Sequence, residues 1–172
     1  NEKGFIDYLV NFGKSLNELI NLPNKIFELE NLKELEIKKN NIILDDKFHK
    51  LDNLIDLSIV DSTMSNVPPE ISYLINLEIL TLRLNEINIV SNEIGKLTKL
   101  KILDLSSNNI TELPNTLIKL TNLTNLYLNN NILQDMKYIC ELINLNFFML
   151  SENNISVIPK EIKQLTDLKI FS

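Results

Sequence analysis

This sequence of 172 residues contains very little cysteine, histidine or glycine: one Cys, one His and three Gly. Its one cysteine, Cys140, cannot form a disulfide within the chain, which excludes the disulfide-dense class of secreted domains and a cysteine-ligated zinc site. The triplet Gly13-Lys14-Ser15 is not a phosphate-binding loop, because that motif needs a glycine where the chain has Tyr8. We therefore predict no cofactor and no metal site.

Arginine is almost absent as well: the 17 basic residues, against 23 acidic ones, include a single arginine, Arg83, and the formal net charge is −6. This composition argues against a nucleic-acid partner and against an anionic membrane surface, because both attract clustered basic residues. No apolar run approaches the roughly eighteen residues of a membrane span, so we expect no membrane insertion. The lone cysteine favours a reducing, cytoplasmic compartment, while a secreted effector or a surface protein stays open.

Three residue types dominate the chain instead: 32 Leu, 24 Ile and 26 Asn make up nearly half of it. Such a bias is typical of a repeat. One leucine recurs at spacings of 22, 23, 23, 23, 22 and 23 residues, at Leu32, Leu54, Leu77, Leu100, Leu123, Leu145 and Leu168. The pattern Leu-x-x-Leu-x-Leu-x-x-Asn-x-Ile runs onward from these leucines, and a Leu-Pro-x-x-Ile-x-x-Leu pattern completes several of the copies.

This double pattern resembles the leucine-rich repeat, in the 23-residue form of the intracellular Ras-group and bacterial types, and the resemblance covers the chain from Leu22 onward. It implies an α/β fold: a right-handed solenoid with a parallel sheet on the concave face and short helical or 3₁₀ turns on the convex face. The alternation of residues also predicts these strands without the resemblance, because a Leu-x-Leu pattern is typical of a strand with one buried face. In such a strand Leu103 and Leu105 point inward and Asp104 points outward. Stacked repeats then bury a core that no single repeat buries alone.

We predict a single domain, residues 1–172, made of a cap over 1–21, a half repeat over 22–31, six repeats over 32–167 and a truncated seventh repeat over 168–172. The cap is predicted to be helical because apolar side chains recur there at three-to-four spacing, at Phe5, Leu9, Phe12, Leu16 and Leu19. A degenerate repeat is the alternative for this segment, and it stays open. In that register Lys14 would occupy a buried strand position, which is unfavourable for an unpaired charge.

An asparagine column runs through the repeats at Asn40, Asn85, Asn108, Asn131 and Asn153, with Ser62 at the corresponding position of the second repeat. An inward-facing amide has donors and an acceptor, so it can satisfy backbone groups where each strand bends into its turn. We predict that these asparagines form a buried ladder with a structural role.

Candidate nucleophiles and bases are few. The histidine, His49, and Cys140 fall in convex segments of the first and fifth repeats. Four strands at roughly 4.8 Å each would separate them by about 19 Å, which is far beyond the hydrogen-bond reach of a catalytic pair. Because the carboxylates are also spread along the chain, we predict no catalytic residue.

The outward-facing strand positions carry the functional prediction. These positions are charged in the first two repeats and become apolar and aromatic further along the chain. We predict partner-binding residues at Ile79, Ile102, Asp104, Tyr127, Asn129, Phe147 and Met149. Exposed aromatic and methionine side chains are typical of protein interfaces. The predicted function is a monomeric, non-enzymatic protein–protein interaction module that binds a protein partner on its concave face; the alternative is a substrate-recognition or regulatory segment of a larger enzyme or secreted effector.

Overall fold

The structure, a computed structural model, describes residues 19–20, 22–39 and 41–171. Short strands alternate there with 3₁₀-helical turns. The strands are β1 (Leu19–Ile20), β2 (Glu34–Lys38), β3 (Asn41–Ile42), β4 (Asp56–Val60), β5 (Asn66–Val67), β6 (Ile79–Thr81), β7 (Ile89–Val90), β8 (Ile102–Asp104), β9 (Asn125–Tyr127), β10 (Phe147–Met149) and β11 (Ile170–Phe171). The 3₁₀ turns are η1 (Asn24–Glu28), η2 (Asp46–Leu51), η3 (Pro69–Tyr73), η4 (Asn92–Lys96), η5 (Asn115–Lys119), η6 (Ile139–Glu141) and η7 (Lys160–Gln164).

The main sheet contains seven parallel strands in the order β2-β4-β6-β8-β9-β10-β11. Its register follows the sequence repeat, so that Ile79 lies beside Ile102 and Leu80 lies beside Leu103. Two smaller parallel pairs join β1 with β3 and β5 with β7. Of these strands, β3, β5 and β7 lie in the segments that follow the main strands β2, β4 and β6. This arrangement confirms the predicted leucine-rich-repeat solenoid with a parallel sheet and short 3₁₀ turns.

The core is one continuous stack of aliphatic side chains. The strand alternation is as predicted: Leu103 and Leu105 are fully buried, and Asp104 between them is half-buried on the outer surface of the strand. The turns close the other side of the core with residues such as Ile94 and Leu97. Each repeat therefore buries its leucines against the repeats on either side, as a stacked solenoid requires.

Six of the seven described turns begin in one of two ways, both readable from the sequence, and η6 begins after Tyr138 without either. Pro68, Pro114 and Pro159 each precede a turn, and their fixed φ angles favour the extended entry into it. Asp45 and Ser91 replace proline in two other repeats, and their side chains accept hydrogen bonds from the backbone N–H two residues later. A local capping bond thus takes over where the proline is missing.

The predicted helical cap lies almost wholly outside the described residues. At Leu19–Ile20, where the chain is described, the helical prediction is wrong, because these residues form β1 and pair in parallel with Asn41–Ile42. The same kind of pairing joins β5 to β7 in later repeats. Spacing of apolar residues along the chain does not report backbone pairing with a neighbouring repeat, and that pairing determines the conformation here.

Gly95 marks the closest approach of two neighbouring turns. A Cβ atom added there would lie 2.6 Å from the carbonyl oxygen of Thr116 and 2.7 Å from its Cβ. The Thr116 hydroxyl also donates a hydrogen bond to the Asn92 carbonyl at 2.6 Å, which holds η5 against η4. We therefore expect Gly95→Ala to lower the free energy of unfolding by about 1 to 3 kcal/mol through overpacking.

A urea titration measures this effect, with the exposed turn residue Lys119→Ala as the control, expected to change stability by less than about 0.5 kcal/mol. Equal stability of the Gly95→Ala variant and the unmodified protein would show that the two turns separate without cost.

Candidate functional site

The bends at the ends of the main strands share one backbone conformation. One residue in each bend has a left-handed φ between 52° and 56°, at Lys39, Asp61, Leu84, Ser107, Asn130 and Glu152. The next residue along the chain is the one in the asparagine column. The left-handed residue turns the chain. The side chain that follows it lies inside the bend at Ser62, Asn85, Asn108, Asn131 and Asn153.

The asparagine side chains bond the backbone of two repeats at once. The Asn108 amide donates to the carbonyls of Leu105 in its own repeat, at 3.0 Å, and of Leu82 in the preceding one, at 2.9 Å. Its oxygen accepts from the N–H of Ile87, at 3.0 Å. Corresponding bonds are made by Asn85, Asn131 and Asn153. Asn40, the remaining member of the predicted ladder, lies outside the described residues. In the second repeat, where Ser62 occupies the column position, its hydroxyl donates to the Val60 carbonyl.

A second asparagine column, which the sequence analysis missed, lies at the other end of the strands. These residues immediately precede the opening leucine of a repeat and donate to a backbone carbonyl of the preceding repeat, with distances of 2.6 to 2.9 Å, at Asn53, Asn76, Asn122 and Asn144. Lys99 has this place in another repeat, and its ammonium donates to the Asn76 side chain at 2.6 Å. The available signal was the Asn-Leu pair that opens five of the repeats, the first of them at Asn31-Leu32. Side-chain bonds therefore tie the repeats together at both ends of the strands.

The outer surface of the main sheet consists of straight rows, because the strands are in register. The first row is Glu34, Asp56, Ile79, Ile102, Asn125, Phe147 and Ile170. The second row is Glu36, Ser58, Thr81, Asp104, Tyr127 and Met149. Six of the seven predicted partner-binding residues lie in these two rows, and Asn129 follows β9 on the same strand path. All seven side chains are half-buried; their role in binding stays a prediction.

One part of this surface is apolar, and we name it the apolar patch: Ile79, Ile102, Tyr127, Phe147 and Met149. Phe147 lies beside Asn125 across the β9–β10 pair, and Met149 lies beside Tyr127. Sequence reasoning did not select Asn125 or Ile170, although Ile170 extends the first row beyond Phe147 and is exposed. The patch therefore has a member on each of the neighbouring strands β6, β8, β9 and β10, with Asn125 between Ile102 and Phe147 in the first row.

Polar groups lie within and beside the apolar patch. The Asn125 amide donates to the Tyr127 hydroxyl oxygen at 3.2 Å, which leaves the phenolic proton available to an acceptor on a partner. Beside them, the Asp104 carboxylate accepts from the N–H and the hydroxyl of Ser106, at 2.9 and 2.6 Å. These groups are directional, so they can orient a partner that the apolar side chains attract.

The opposite end of the sheet surface is acidic, and we name Glu34, Glu36 and Asp56 the acidic end. Glu36 pairs with Lys38 at 2.6 Å, whereas within the part of the chain that the structure describes neither Glu34 nor Asp56 has an ion pair. Burial of the Asp56 carboxyl group, reinforced by the charges of Glu34 and then Glu36, raises the pKa of Asp56 above its ordinary value. The ionised form of Asp56 is thus disfavoured in the folded protein.

This raised pKa predicts the pH dependence of one variant. A carboxyl group that binds its proton more tightly in the folded than in the unfolded chain destabilises the fold as pH rises from its ordinary pKa through the raised one. Asp56→Asn should therefore be more stable than the unmodified protein at pH 7, by less than about 1 kcal/mol because the site is partly exposed.

The difference should vanish below the ordinary aspartate pKa, where both states are protonated. Thermal or urea unfolding across pH measures it, with Glu112→Gln at an exposed site as the control. A variant that loses stability at pH 7 would contradict the stated cause of the shift.

The remaining candidate groups lie on the turns. His49 is exposed in η2, with its ring edge-on to Tyr73 at 6.3 Å between centroids. Cys140 is buried in η6, where burial, and then the charges of Glu161 and Glu141, raise the pKa of its thiol, so that it stays protonated and unreactive. Across residues 19–20, 22–39 and 41–171, no three His, Cys, Asp or Glu side chains are grouped as a metal site requires.

None of the helices in the described part of the chain has the length and apolarity needed to cross a lipid bilayer.

Comparison with known proteins agrees with this architecture. A family model described as leucine rich repeat matches residues 75–133. A leucine-rich-repeat protein of Leptospira interrogans is 35% identical over 88% of this chain and 39% of its own, with a TM-score of 0.80. No curated protein matches the chain significantly.

Two other solved structures, each 24% identical over 87% of this chain, share the fold. They are an internalin of Listeria monocytogenes, with 50% of its chain covered and a TM-score of 0.60, and the ectodomain of a plant membrane receptor kinase from Arabidopsis thaliana, with 19% covered and a TM-score of 0.74. The chain thus spans half or less of the length of these three proteins.

The fold and the sheet surface define a leucine-rich-repeat solenoid, a class of protein that typically serves protein–protein interaction. The repeats, the matched family model and the Leptospira structure place the chain in the leucine-rich-repeat family.

Proposed function

We propose that the chain is a non-enzymatic interaction module that binds a protein partner through the concave surface of its main sheet, at the apolar patch. The observation that carries the proposal is the extent of the patch: five large apolar or aromatic side chains lie on four neighbouring strands and remain partly exposed. Contiguous apolar surface on a soluble protein is typical of a binding site. Aromatic residues and methionine are also enriched at interfaces.

The apolar residues exposed on the turns form a weaker alternative. Tyr73, Ile75, Ile118 and Ile143 are exposed, but they are spread over three repeats, and the two that share a position, Ile75 and Ile143, are three repeats apart. Scattered surface apolar residues are normal in soluble proteins and need no partner. The sheet surface is also the more rigid one, since side-chain hydrogen bonds join the repeats at both ends of its strands. A rigid surface loses less conformational entropy on binding.

One structure with the same fold was solved with a partner bound. The plant receptor kinase ectodomain was solved in complex with Casparian strip integrity factor 2. At 24% identity this comparison supports the capacity of the fold and says nothing of which partner this chain binds.

The second candidate is a substrate-recognition or regulatory segment of a larger enzyme or secreted effector. The observation that favours it is the partial coverage of relatives: the chain spans 39% of the Leptospira protein. In this case the apolar patch would serve recognition in the same way, and catalysis would belong to another part of the protein. The binding surface is common to both candidates.

The test is affinity capture with three purified forms of the chain, followed by mass spectrometry. The unmodified protein is compared with a concave variant, Tyr127→Ser with Phe147→Ser, and with a matched variant of the turn surface, Ile118→Ser with Ile143→Ser. We expect a partner that is retained by the unmodified protein and by the turn variant and lost by the concave variant. A partner retained by the concave variant and lost by the turn variant would place binding on the other surface.

A further inference from the structure

We propose that the segment bound on the concave surface is an extended stretch of polypeptide that places a basic side chain over the acidic end and apolar side chains over the apolar patch. This inference rests on the proposed function, because it names the partner chemistry of the same surface. It specifies that one ligand side chain is basic, that this side chain lies over the acidic end of the sheet, and how many residues separate it from the ligand side chain over Phe147.

The first row of the sheet carries both features in one line. Glu34 and Asp56 are neighbours across the β2–β4 pair, and Asp56 is in turn the neighbour of Ile79. The row continues through Ile102 to Phe147. A ligand that lies along this row therefore meets two carboxylates at one end and then three apolar side chains, with the Asn125 amide between Ile102 and Phe147.

Charge complementarity selects a basic side chain at the acidic end. The carboxylates of Glu34 and Asp56 have no ion-pairing cation in residues 22–39 and 41–171, and the pair between Lys38 and Glu36 involves the second row. Burial first, and then the charges of Glu34 and Glu36, disfavour ionisation of Asp56 and raise its pKa. A cation placed over this end relieves that repulsion, whereas an acidic side chain there adds to it.

The polar groups of the apolar patch favour an extended segment over a helix. The Tyr127 hydroxyl has a proton to donate, and Asn125 lies next to it. Backbone carbonyls and N–H groups are free to bond such side chains in an extended chain, but a helix uses them internally. An extended chain therefore offers such directional contacts along its whole length, whereas a helix offers them only at its ends.

The register of the sheet sets the spacing in the ligand. Four strand steps separate Asp56 from Phe147, which corresponds to about 19 Å at roughly 4.8 Å per step. An extended chain covers roughly 3.3 Å per residue, so the basic residue and the side chain over Phe147 lie about six residues apart. A random sequence has no reason to prefer this separation.

Selection from a random library of 12-residue peptides displayed on phage tests the inference. The purified chain is the target, and its concave variant, Tyr127→Ser with Phe147→Ser, is used to remove peptides that bind elsewhere. We expect enrichment of Lys or Arg about six residues from a large apolar residue. A synthetic peptide of the selected sequence should bind at least about tenfold more tightly than the same peptide with Glu at the basic position.

A target with reversed charges at the acidic end, called the charge-swapped target, shows whether the preference for a basic peptide depends on Glu34 and Asp56. On Glu34→Lys with Asp56→Lys, the Glu peptide should bind more tightly than the Lys peptide. On the neutral pair Glu34→Gln with Asp56→Asn, the two should bind within a factor of about three, still dependent on the apolar patch. Circular dichroism and urea unfolding establish that each variant is folded.

The outcomes separate the inference from the proposed function. Peptides that require the apolar patch but show no charge preference, or the same preference on the charge-swapped target, overturn the inference and leave the proposed function standing. Failure of every peptide to bind, while a folded partner binds through the patch, also overturns it. Peptides that bind the concave variant as tightly as the unmodified chain contradict the proposed function itself.

Discussion

Asn108→Ala is expected to lower the free energy of unfolding by about 3 kcal/mol. The Asn108 amide donates to the carbonyls of Leu82 and Leu105, and both carbonyls keep another donor in the variant. Asn85 still donates to the Leu82 carbonyl, and Asn131 still donates to the Leu105 carbonyl. The N–H of buried Ile87, however, loses its acceptor. One unsatisfied buried donor costs about 1 to 3 kcal/mol, and each lost bond to a carbonyl adds about 0.5 to 1.5 kcal/mol.

The matched control is Asn122→Ala, in the second asparagine column. Its amide also bonds the preceding repeat, at the Thr98 carbonyl, but the residue is exposed and water can replace the bond. The loss there should stay below about 1 kcal/mol. Urea titrations of both variants measure the difference, and losses of equal size would mean that the burial of the ladder contributes nothing to its strength.

Tyr127→Ser and Phe147→Ser are each expected to weaken partner binding by about 2 kcal/mol or more, which is the usual effect of removing an aromatic anchor from the centre of an interface. The fold should survive both changes, because the core positions of these strands are occupied by Leu126 and Phe148, which are fully buried and unchanged. Calorimetric titration of the captured partner measures the affinity.

Ile118→Ser and Ile143→Ser provide controls of the same chemistry on exposed sites outside the sheet. These changes should alter affinity by less than about 0.5 kcal/mol. Circular dichroism distinguishes a lost interface from a lost fold. Normal binding by the double Tyr127 and Phe147 variant would remove the apolar patch from the interface.

The strands and their register could be predicted from the sequence because both depend on local periodicity and a fixed repeat length. Leu103 and Leu105 alternate with Asp104, and a spacing of 23 residues brings Ile79 beside Ile102. The residues of the apolar patch follow from these two facts alone. Their use as a binding site remains a prediction, because the strand register shows only that these side chains are neighbours and does not show that a partner binds them.

Other features depend on contacts between repeats that spacing does not encode. The strand at Leu19–Ile20 forms through pairing with β3, so a helical pattern gave no warning of it. Whether Asn76 reaches the Asp52 carbonyl, or Gly95 allows the approach of Thr116, depends on the curvature of the stack. The raised pKa of Asp56 likewise arises from burial and from charges on a neighbouring strand.

Hydroxyl-radical footprinting of the chain, free and bound to its captured partner, tests the central claim most directly. Tyrosine, phenylalanine and methionine react readily, and the chain carries such probes on both surfaces. Binding through the apolar patch predicts protection of Tyr127, Phe147 and Met149. The reactivity of Tyr73, the last residue of η3, and of Tyr138, which immediately precedes η6, should stay unchanged. Protection of Tyr73 and Tyr138, with Tyr127 and Phe147 as reactive as in the free protein, would contradict it.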